Sequence, residues 1–231
     1  MSEVLSIGRD SETIRERIAP PPRDSRTSIH SVACRVFDIL IALGVLLFTL
    51  PLLIGVAIAV KLSDHGPVLF GHHRIGAGGR IFRCWKFRSM VVDADARLAA
   101  LLQADPAAER EWARDHKLRR DPRITRLGEF LRRSSLDELP QLFNVLAGEM
   151  SIVGPRPIVA AEAPKYGARL QSYYRVRPGI TGLWQVSGRN DTSYRRRVAL
   201  DAVYARNKTL ALDVKILLLT IPAVLLAKGS Y

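Results

Sequence analysis

Apolar positions run along this chain in three different patterns, and each predicts a different kind of element. From Ile39 to Val60 no residue is charged, with Asp38 before the run and Lys61 after it. As a straight helix the run would measure roughly 33 Å, enough for a bilayer hydrocarbon core. It starts too far into the chain for a signal peptide, and no small-residue cleavage site precedes a mature domain. Pro51 falls past its middle and has no N–H to give, so a kink or break is expected there, with Thr49 at hand for a freed polar group. The flanks assign no side: Arg23, Arg26 and Arg35 precede the run, while Lys61, Arg74 and Arg80 follow it. Balanced flanks slightly favour two ends on the cytoplasmic face over a crossing.

Beyond the run, Pro67 to Ile75 and Arg80 to Met90 alternate with a period of two around Gly76-Ala77-Gly78-Gly79, which predicts a β-hairpin. From Asp93 to about Arg120 helical spacing returns, predicting one or two surface helices that Pro122 ends. Short helices follow over Ile124 to Arg133 and from Ser135 to about Leu146, the latter stopped by Gly148. Pro155-Arg156-Pro157 reads as a rigid turn and Ile158 to Tyr173 as a helix. Arg177 to Asn190 is loop-rich, holding Thr181, Trp184 and Gln185, and Tyr194 to Asn207 is helical. The apolar segment Asp213 to Ala227, interrupted by Lys215 and Pro222, is too short to span and belongs in the interface or against the domain. The polar first thirty residues, with Pro20-Pro21-Pro22, read as a disordered cytoplasmic tail. The expected fold is mostly α with a small β-hairpin, an α+β class. It divides into a tail (1–32), a membrane helix (33–62) and a folded domain (63–231).

Charge narrows the partners. At 231 residues and a net charge of +13, the chain needs a polyanion: anionic lipid, nucleotide or nucleic acid. Cys34 lies beside the membrane run and Cys84 in a strand, so no disulfide is expected and a reducing cytoplasm fits. His72-His73 reads as a strand pair rather than a ligand set.

Chemistry concentrates in Ser134-Ser135-Leu136-Asp137-Glu138-Leu139-Pro140-Gln141. Two adjacent carboxylates sit there in a segment otherwise crowded with Lys86, Arg88, Arg119, Arg120, Arg123, Arg126, Arg132, Arg133 and Arg156. Such a setting suits a phosphate-rich substrate: arginines hold phosphates, one acid serves a metal and the other acts as nucleophile or base. A purely structural reading competes, because Ser135-x-x-Glu138 matches a capping box and Asp137 suits a helix dipole. Neighbouring helical residues project about 100° apart, so the acids divide labour rather than share a proton. A helix N-terminus would also lower the pKa of a nucleophile.

Seven motifs, in order, make the pattern specific. They are Leu50-Pro51; Gly66-Pro67-Val68 with Arg74-Ile75-Gly76; Lys86-Phe87-Arg88-Ser89-Met90; Asp121-Pro122-Arg123-Ile124-Thr125; Leu131 through Gln141; Gly148 through Pro157; and Arg177 through Gln185. The chain resembles the bacterial sugar transferases, the monotopic polyprenyl-phosphate phosphoglycosyl transferases, over residues 33–231. It is most similar to the exopolysaccharide-initiating branch that transfers galactose 1-phosphate. The multi-span amino-terminal region of some relatives has no counterpart, so a minimal catalytic form is expected.

The resemblance implies that Asp137 attacks the β-phosphorus of a UDP-sugar, releasing UMP and leaving a phosphosugar on the carboxylate. Undecaprenyl phosphate then takes the phosphosugar, the first membrane step of exopolysaccharide repeat-unit synthesis. Glu138 would hold Mg²⁺, and Lys86, Arg88, Arg132 and Arg156 would steady phosphates, with Asp201 a further contributor. It also implies a re-entrant helix broken at Pro51, interfacial amphipathic helices, and an inner-membrane location with the site facing the cytoplasm. Anionic membrane lipids and a homodimer are admitted as partners; nucleic acid is not expected.

Bland readings stand beside these. Lys86 and Arg88 could be the solvated face of the hairpin, since Phe87 would alternate inward, and Arg132 and Arg133 could meet lipid headgroups. Arg195 to Arg197 read as an exposed patch, and Asp201 with Tyr204 as core packing. Gly76-x-Gly78-Gly79 reads as a turn rather than a phosphate loop. Glucose is the alternative sugar; a membrane-bound polyanion binder and a non-catalytic scaffold are the alternative functions.

Overall fold

The computed structural model describes residues 29–115, 118, 121–188 and 192–225. Of the expected tail (1–32), residues 1–28 lie outside the described residues, as do Arg119, Arg120, Arg189, Asn190 and the carboxyl end after 225, while residues 29–32 are helical.

The apolar run forms the middle of one long helix, α1 (Ile29–Asp64). The helix is assigned without interruption through Pro51. Thr49 uses its hydroxyl locally, Oγ1 donating to the Val45 carbonyl at 2.7 Å. One narrow stripe is buried, comprising Cys34, Asp38 and Ala42 on one side of Pro51 and Leu53, Val56 and Val60 on the other. Around that stripe the helix is bare, with Leu47 76% and Phe48 88% exposed. Only 17% of its most apolar window is buried, so it is not the core helix of a water-soluble domain. It is long and apolar enough to cross a membrane.

Polar contacts fasten both ends of α1 to one body. On the amino-terminal side Asp38 is buried and accepts from Ser151 Oγ (2.9 Å) and the Ile152 N–H (2.8 Å). Arg35 donates to the Val145 (2.6 Å) and Leu146 (2.9 Å) carbonyls at the end of a short helix over Gln141–Ala147. On the other side Asp64 pairs with Arg88.

The body starts with the expected hairpin, β1 (Leu69–Ile75) and β2 (Ile81–Phe87), antiparallel in a register that sets Arg74 across from Phe82 and Phe70 across from Lys86. Two surface helices follow, α2 (Ala94–Ala104) and α3 (Pro106–Asp115). Helix α4 (Arg126–Arg133) is capped by Thr125, which accepts from the Gly128 N–H at 2.8 Å. Gly128 presses α4 onto Ser89, whose backbone occupies the space a Cβ would take.

Ser135 does not cap a helix running to Leu146. It adopts φ +58°, makes no side-chain cap bond, and opens a single 3₁₀ turn over Leu136–Glu138; helix α5 (Gln141–Ala147) begins only after Pro140. The reason is Pro140, whose ring would clash with the Leu136 carbonyl inside a continuous helix. Gly148 ends α5 with φ +81°, as expected.

The stretch from Met150 to Thr181 contains a parallel pair that sequence pattern does not predict, β3 (Ser151–Val153) with β4 (Gly179–Thr181). Gly154 and Gly179 permit their close approach: a Cβ on either would strike the other strand's backbone. Between them the expected helix from Ile158 is instead split into α6 (Ala163–Tyr166) and α7 (Leu170–Tyr174) with 3₁₀ turns, because Gly167 at φ +51° interrupts it. Helices α8 (Leu183–Val186), α9 (Tyr194–Asn207) and α10 (Leu210–Leu225) complete the chain. Helix α10 packs on the body through buried Ile216 and Asp213 while Leu218 and Ile221 stay exposed. Cys34 and Cys84 are buried free thiols.

Removing the Asp38 carboxylate strands a buried hydroxyl and a backbone N–H, at about 1–3 kcal/mol for each unpaired group. Asp38→Ala should therefore lower the melting temperature in detergent by several degrees, and Asp38→Asn, which keeps one acceptor, by less. An unchanged melting curve for Asp38→Ala would show that this anchor carries no stability.

Candidate active site

Strand β2 aims one cation at the acid turn. Lys86 shares a face with buried Phe82 and Cys84, so it is not on the solvated face of the hairpin. Asn144, fully buried on α5, holds the free edge of β2 in place. It accepts from the Trp85 N–H (3.0 Å) and donates to the Arg83 carbonyl (2.7 Å). The result is that Lys86 Nζ stands 2.5 Å from Glu138 Oε1 and 3.6 Å from Asp137 Oδ2. Both acids converge on one ammonium from a turn shorter than a helix.

The two carboxylates differ sharply. Asp137 is buried and Glu138 half-buried. Burial raises the Asp137 pKa above the ordinary range and its neighbour Glu138 adds to this, against the pull of Lys86 and Arg132. This reverses the lowered value expected from a helix N-terminus: a three-residue turn provides little dipole, and desolvation wins. Burial also opposes ionisation of Glu138, but Lys86, Arg156 and Arg74 outweigh it and hold that pKa below the usual carboxylate range. The two adjacent acids are thereby split into one held ionised and one more basic than usual.

Around Glu138 a small open cleft is lined by Lys86, Arg74, Arg156, Gln141, Cys84, Pro157, Gly179 and Ile180. Of the residues expected at the site, Lys86, Glu138 and Arg156 line this cleft, and Asp137 adjoins it behind Lys86. Arg132 flanks Asp137 from α4, with Nε donating to Ser89 Oγ at 2.8 Å. Arg88 is elsewhere: it is buried, paired with Asp64, and its Nη1 has no partner. Asp201 does not line the cleft either; it is buried on α9, where it accepts from the Tyr166 hydroxyl at 2.8 Å. Burial pushes its pKa up to about 6. Arg197 is not an exposed patch residue. Its guanidinium lies over Trp184 and Tyr194 at 5.0 and 5.2 Å, while Arg195 and Arg196 are exposed as expected.

Arg74 was legible only as part of a motif. Once the glycine turn fixes the register, the strand partner of Arg74 is Phe82, so Arg74 emerges on the Lys86 face. Among the described residues no group of three His, Cys, Asp or Glu side chains could hold a metal by itself. The donors available are Glu138 and Asp137, already arranged about the Lys86 cation. That suits a hard ion taking one or two carboxylates and its remaining oxygens from a bound phosphate.

Residues 29–227 match the family model described as bacterial sugar transferase. The chain belongs to the bacterial sugar transferase family. It is a transferase of the phosphoglycosyl class that its motifs resemble. It is 50% identical over 203 residues to the exopolysaccharide production protein ExoY of Sinorhizobium fredii, covering 88% of this chain and 90% of that protein. Identity is also 50% over 197 residues to the undecaprenyl-phosphate galactose phosphotransferase of Salmonella typhimurium, covering 85% of this chain but 41% of that longer protein. With the UDP-glucose:undecaprenyl-phosphate glucose-1-phosphate transferase of Escherichia coli it is 38% over 213 residues, covering 89% and 43%.

The folded transferase holds a proton on Asp137 more tightly than the unfolded chain does. Ionising it therefore costs stability, a cost absent below the unfolded pKa and fully present above the raised folded one. Carboxyl NMR should find Asp137 titrating above, and Glu138 below, the ordinary carboxylate range, and Lys86→Met should move both upward. Two acids titrating together at ordinary values would contradict this electrostatic picture.

Proposed function

We propose that this transferase moves hexose 1-phosphate, galactose 1-phosphate in the first place, from a UDP-sugar to undecaprenyl phosphate, releasing UMP. The observation that carries the reading is the convergence of a raised-pKa aspartate, a permanently ionised glutamate and three cleft cations, Lys86, Arg74 and Arg156, on one small site. Arginine forks and the lysine bind the diphosphate in the cleft, neutralising charge that would otherwise repel an anionic nucleophile. Lys86 exchanges its carboxylate partners for phosphate oxygens, which frees Asp137. An Asp137 oxygen attacks the β-phosphorus, the bond from that phosphorus to the bridging oxygen breaks, and UMP departs with the bridging oxygen. In the second half a phosphate oxygen of the lipid attacks the same phosphorus, the aspartyl–phosphorus bond breaks, and the carboxylate is regenerated.

Glu138, with Asp137 beside it, would hold Mg²⁺ against the substrate diphosphate. When bound, the ion supplies charge neutralisation on the phosphates. Arg132 steadies the Asp137 side of the site. Arg88 acts from its buried pairing with Asp64, at the point where α1 hands over to the body.

The same reading places the site at a membrane surface. Anchors at Asp38 and Asp64 on one helix are about 39 Å apart along a straight axis, more than a hydrocarbon core of roughly 30 Å. Both ends nevertheless bind one body. A crossing α1 would put those ends on opposite sides of the bilayer and break one set of contacts. Re-entry from the cytoplasmic face of the inner membrane, turning near Pro51, keeps both. Exposed Phe130 on α4 and Leu218 and Ile221 on α10, with Arg133 nearby on α4, suit an anionic lipid interface. A glucose donor is the second reading, favoured by the Escherichia coli relative.

Membranes bearing the enzyme, supplied with undecaprenyl phosphate, Mg²⁺ and a panel of UDP-sugars, should release UMP fastest from UDP-galactose. Asp137→Asn should lower turnover at least about a thousandfold. Normal turnover by Asp137→Asn would exclude attack by this carboxylate, and absence of UMP from every donor would remove the transferase reading.

A further inference from the structure

A second set of polar groups beside the cleft has no role in phosphate chemistry. Buried side-chain atoms without hydrogen-bond partners include Trp184 Nε1, Gln185 Oε1, and Arg197 Nε and Nη2. They come from two adjoining elements, α8 and α9, with the Arg197 guanidinium lying 5.0 Å from the Trp184 ring centre. Trp184 is 92% buried, since only 8% of it is exposed. Native interiors leave few such atoms unpaired, and each unpaired one costs about 1–3 kcal/mol.

Two contacts tie this set to the cleft. Gln185 Nε2 donates to the carbonyl of Ile180, a cleft residue, at 3.4 Å. Glu162 lies 3.8 Å from Arg74, another cleft residue, and 3.5 Å from Arg197. These contacts set Trp184, Gln185 and Arg197 beside the cleft residues Ile180 and Arg74.

Charge and hydrogen-bonding capacity describe the missing partner. Arg197, unlike the cleft cations, is matched by two acids, Glu162 at 3.5 Å and Asp201 at 4.0 Å, so its surroundings are neutral and do not call for a phosphate. Three of the four orphaned atoms are donors and one is an acceptor. A hydroxyl both accepts and donates, and a cluster of hydroxyls meets both needs.

We infer that Trp184, Gln185 and Arg197 form a sugar-reading subsite on the Arg74–Ile180 flank of the cleft, which hydrogen-bonds the hydroxyls of the donor hexose. This rests on the proposed transfer from a UDP-sugar and adds to it the residues that choose the sugar. The hexose is the neutral, hydroxyl-rich group joined directly to the phosphorus under attack, whereas the base is separated from it by a ribose and a phosphate. A subsite that leaves its own buried groups unpaired with the wrong epimer discriminates more strongly than an apolar pocket does.

The test uses full-length enzyme in membranes and compares Gln185→Leu, the near-isosteric Gln185→Glu, and Arg197→Lys with wild type. Thermal melting of each variant guards against misfolding. The readouts are kcat/KM for UDP-galactose and for UDP-glucose, inhibition by UMP, and the calorimetric affinity of each UDP-hexose relative to UDP. The inference predicts that the epimer ratio changes by about tenfold or more, the scale of one buried hydrogen bond, while UMP inhibition stays put. Equal loss on both epimers with weakened UMP inhibition would assign the pocket to the base and overturn it. Unmoved ratios in folded, active variants would show that the orphaned atoms hold only water. A wild type that releases no UMP, yet binds UDP-hexoses no better than UDP, would defeat both this inference and the transferase reading. An active wild type with unmoved ratios would defeat this one alone.

Discussion

Lys86 is the point on which the site is assembled, because its ammonium draws two neighbouring carboxylates toward the hairpin face and makes their burial tolerable. Without a cation there, Asp137 and Glu138 would repel each other in a desolvated turn, and the turn has no helix behind it to hold them. The hairpin supplies the cation, Pro140 and the left-handed Ser135 supply the short turn, and Asn144 joins the two by gripping the edge of β2. Each of these features is structurally modest; together they place opposite charges within reach of an open, cationic cleft. The asymmetry between the acids follows from that placement, since Glu138 receives the short contact with Lys86 and Asp137 the long one.

The same body grips the apolar helix at both ends, which links membrane geometry to chemistry. Asp38 and Arg35 bind the segment containing α5 and β3, and α5 is the helix that Asn144 uses to hold β2. Asp64 binds Arg88, one residue beyond β2. Helix α1 is thus tied to both sides of the acid turn. Under the proposed reaction a long-chain lipid phosphate and a water-soluble nucleotide need a common meeting plane, and these anchors would set its height.

Much of this was readable from the amino-acid pattern, where the physics is local. Period-two alternation around four glycine-rich residues located the hairpin, and helical spacing located α9 at Tyr194 to Asn207. The acids were visible as a charge anomaly. What escaped was non-local. Strands β3 and β4 are three residues each, too short for a periodic signal, and they pair in parallel through glycines whose importance appears only when the backbones meet. For Arg88, expected as a phosphate ligand beside Lys86, the structure adds a pairing with Asp64 at the end of α1 that no local pattern signals. Arg197 looked like one of three surface arginines, although helical geometry turns just one of a consecutive trio inward, here onto Trp184 and Tyr194. The Asp137 pKa was expected to fall because a helix was expected; the short turn and burial reversed the sign.

The central chemical claim is that one buried, cation-flanked carboxylate turns a single phosphoryl transfer into two. Intact-protein mass spectrometry after brief exposure to the sugar donor, with no lipid acceptor, addresses it directly. The account predicts one added hexose phosphate on the wild type, localised by peptide mapping to Asp137, absent from Asp137→Asn and discharged when undecaprenyl phosphate is supplied. An unmodified protein under conditions where lipid-linked product still accumulates would contradict it.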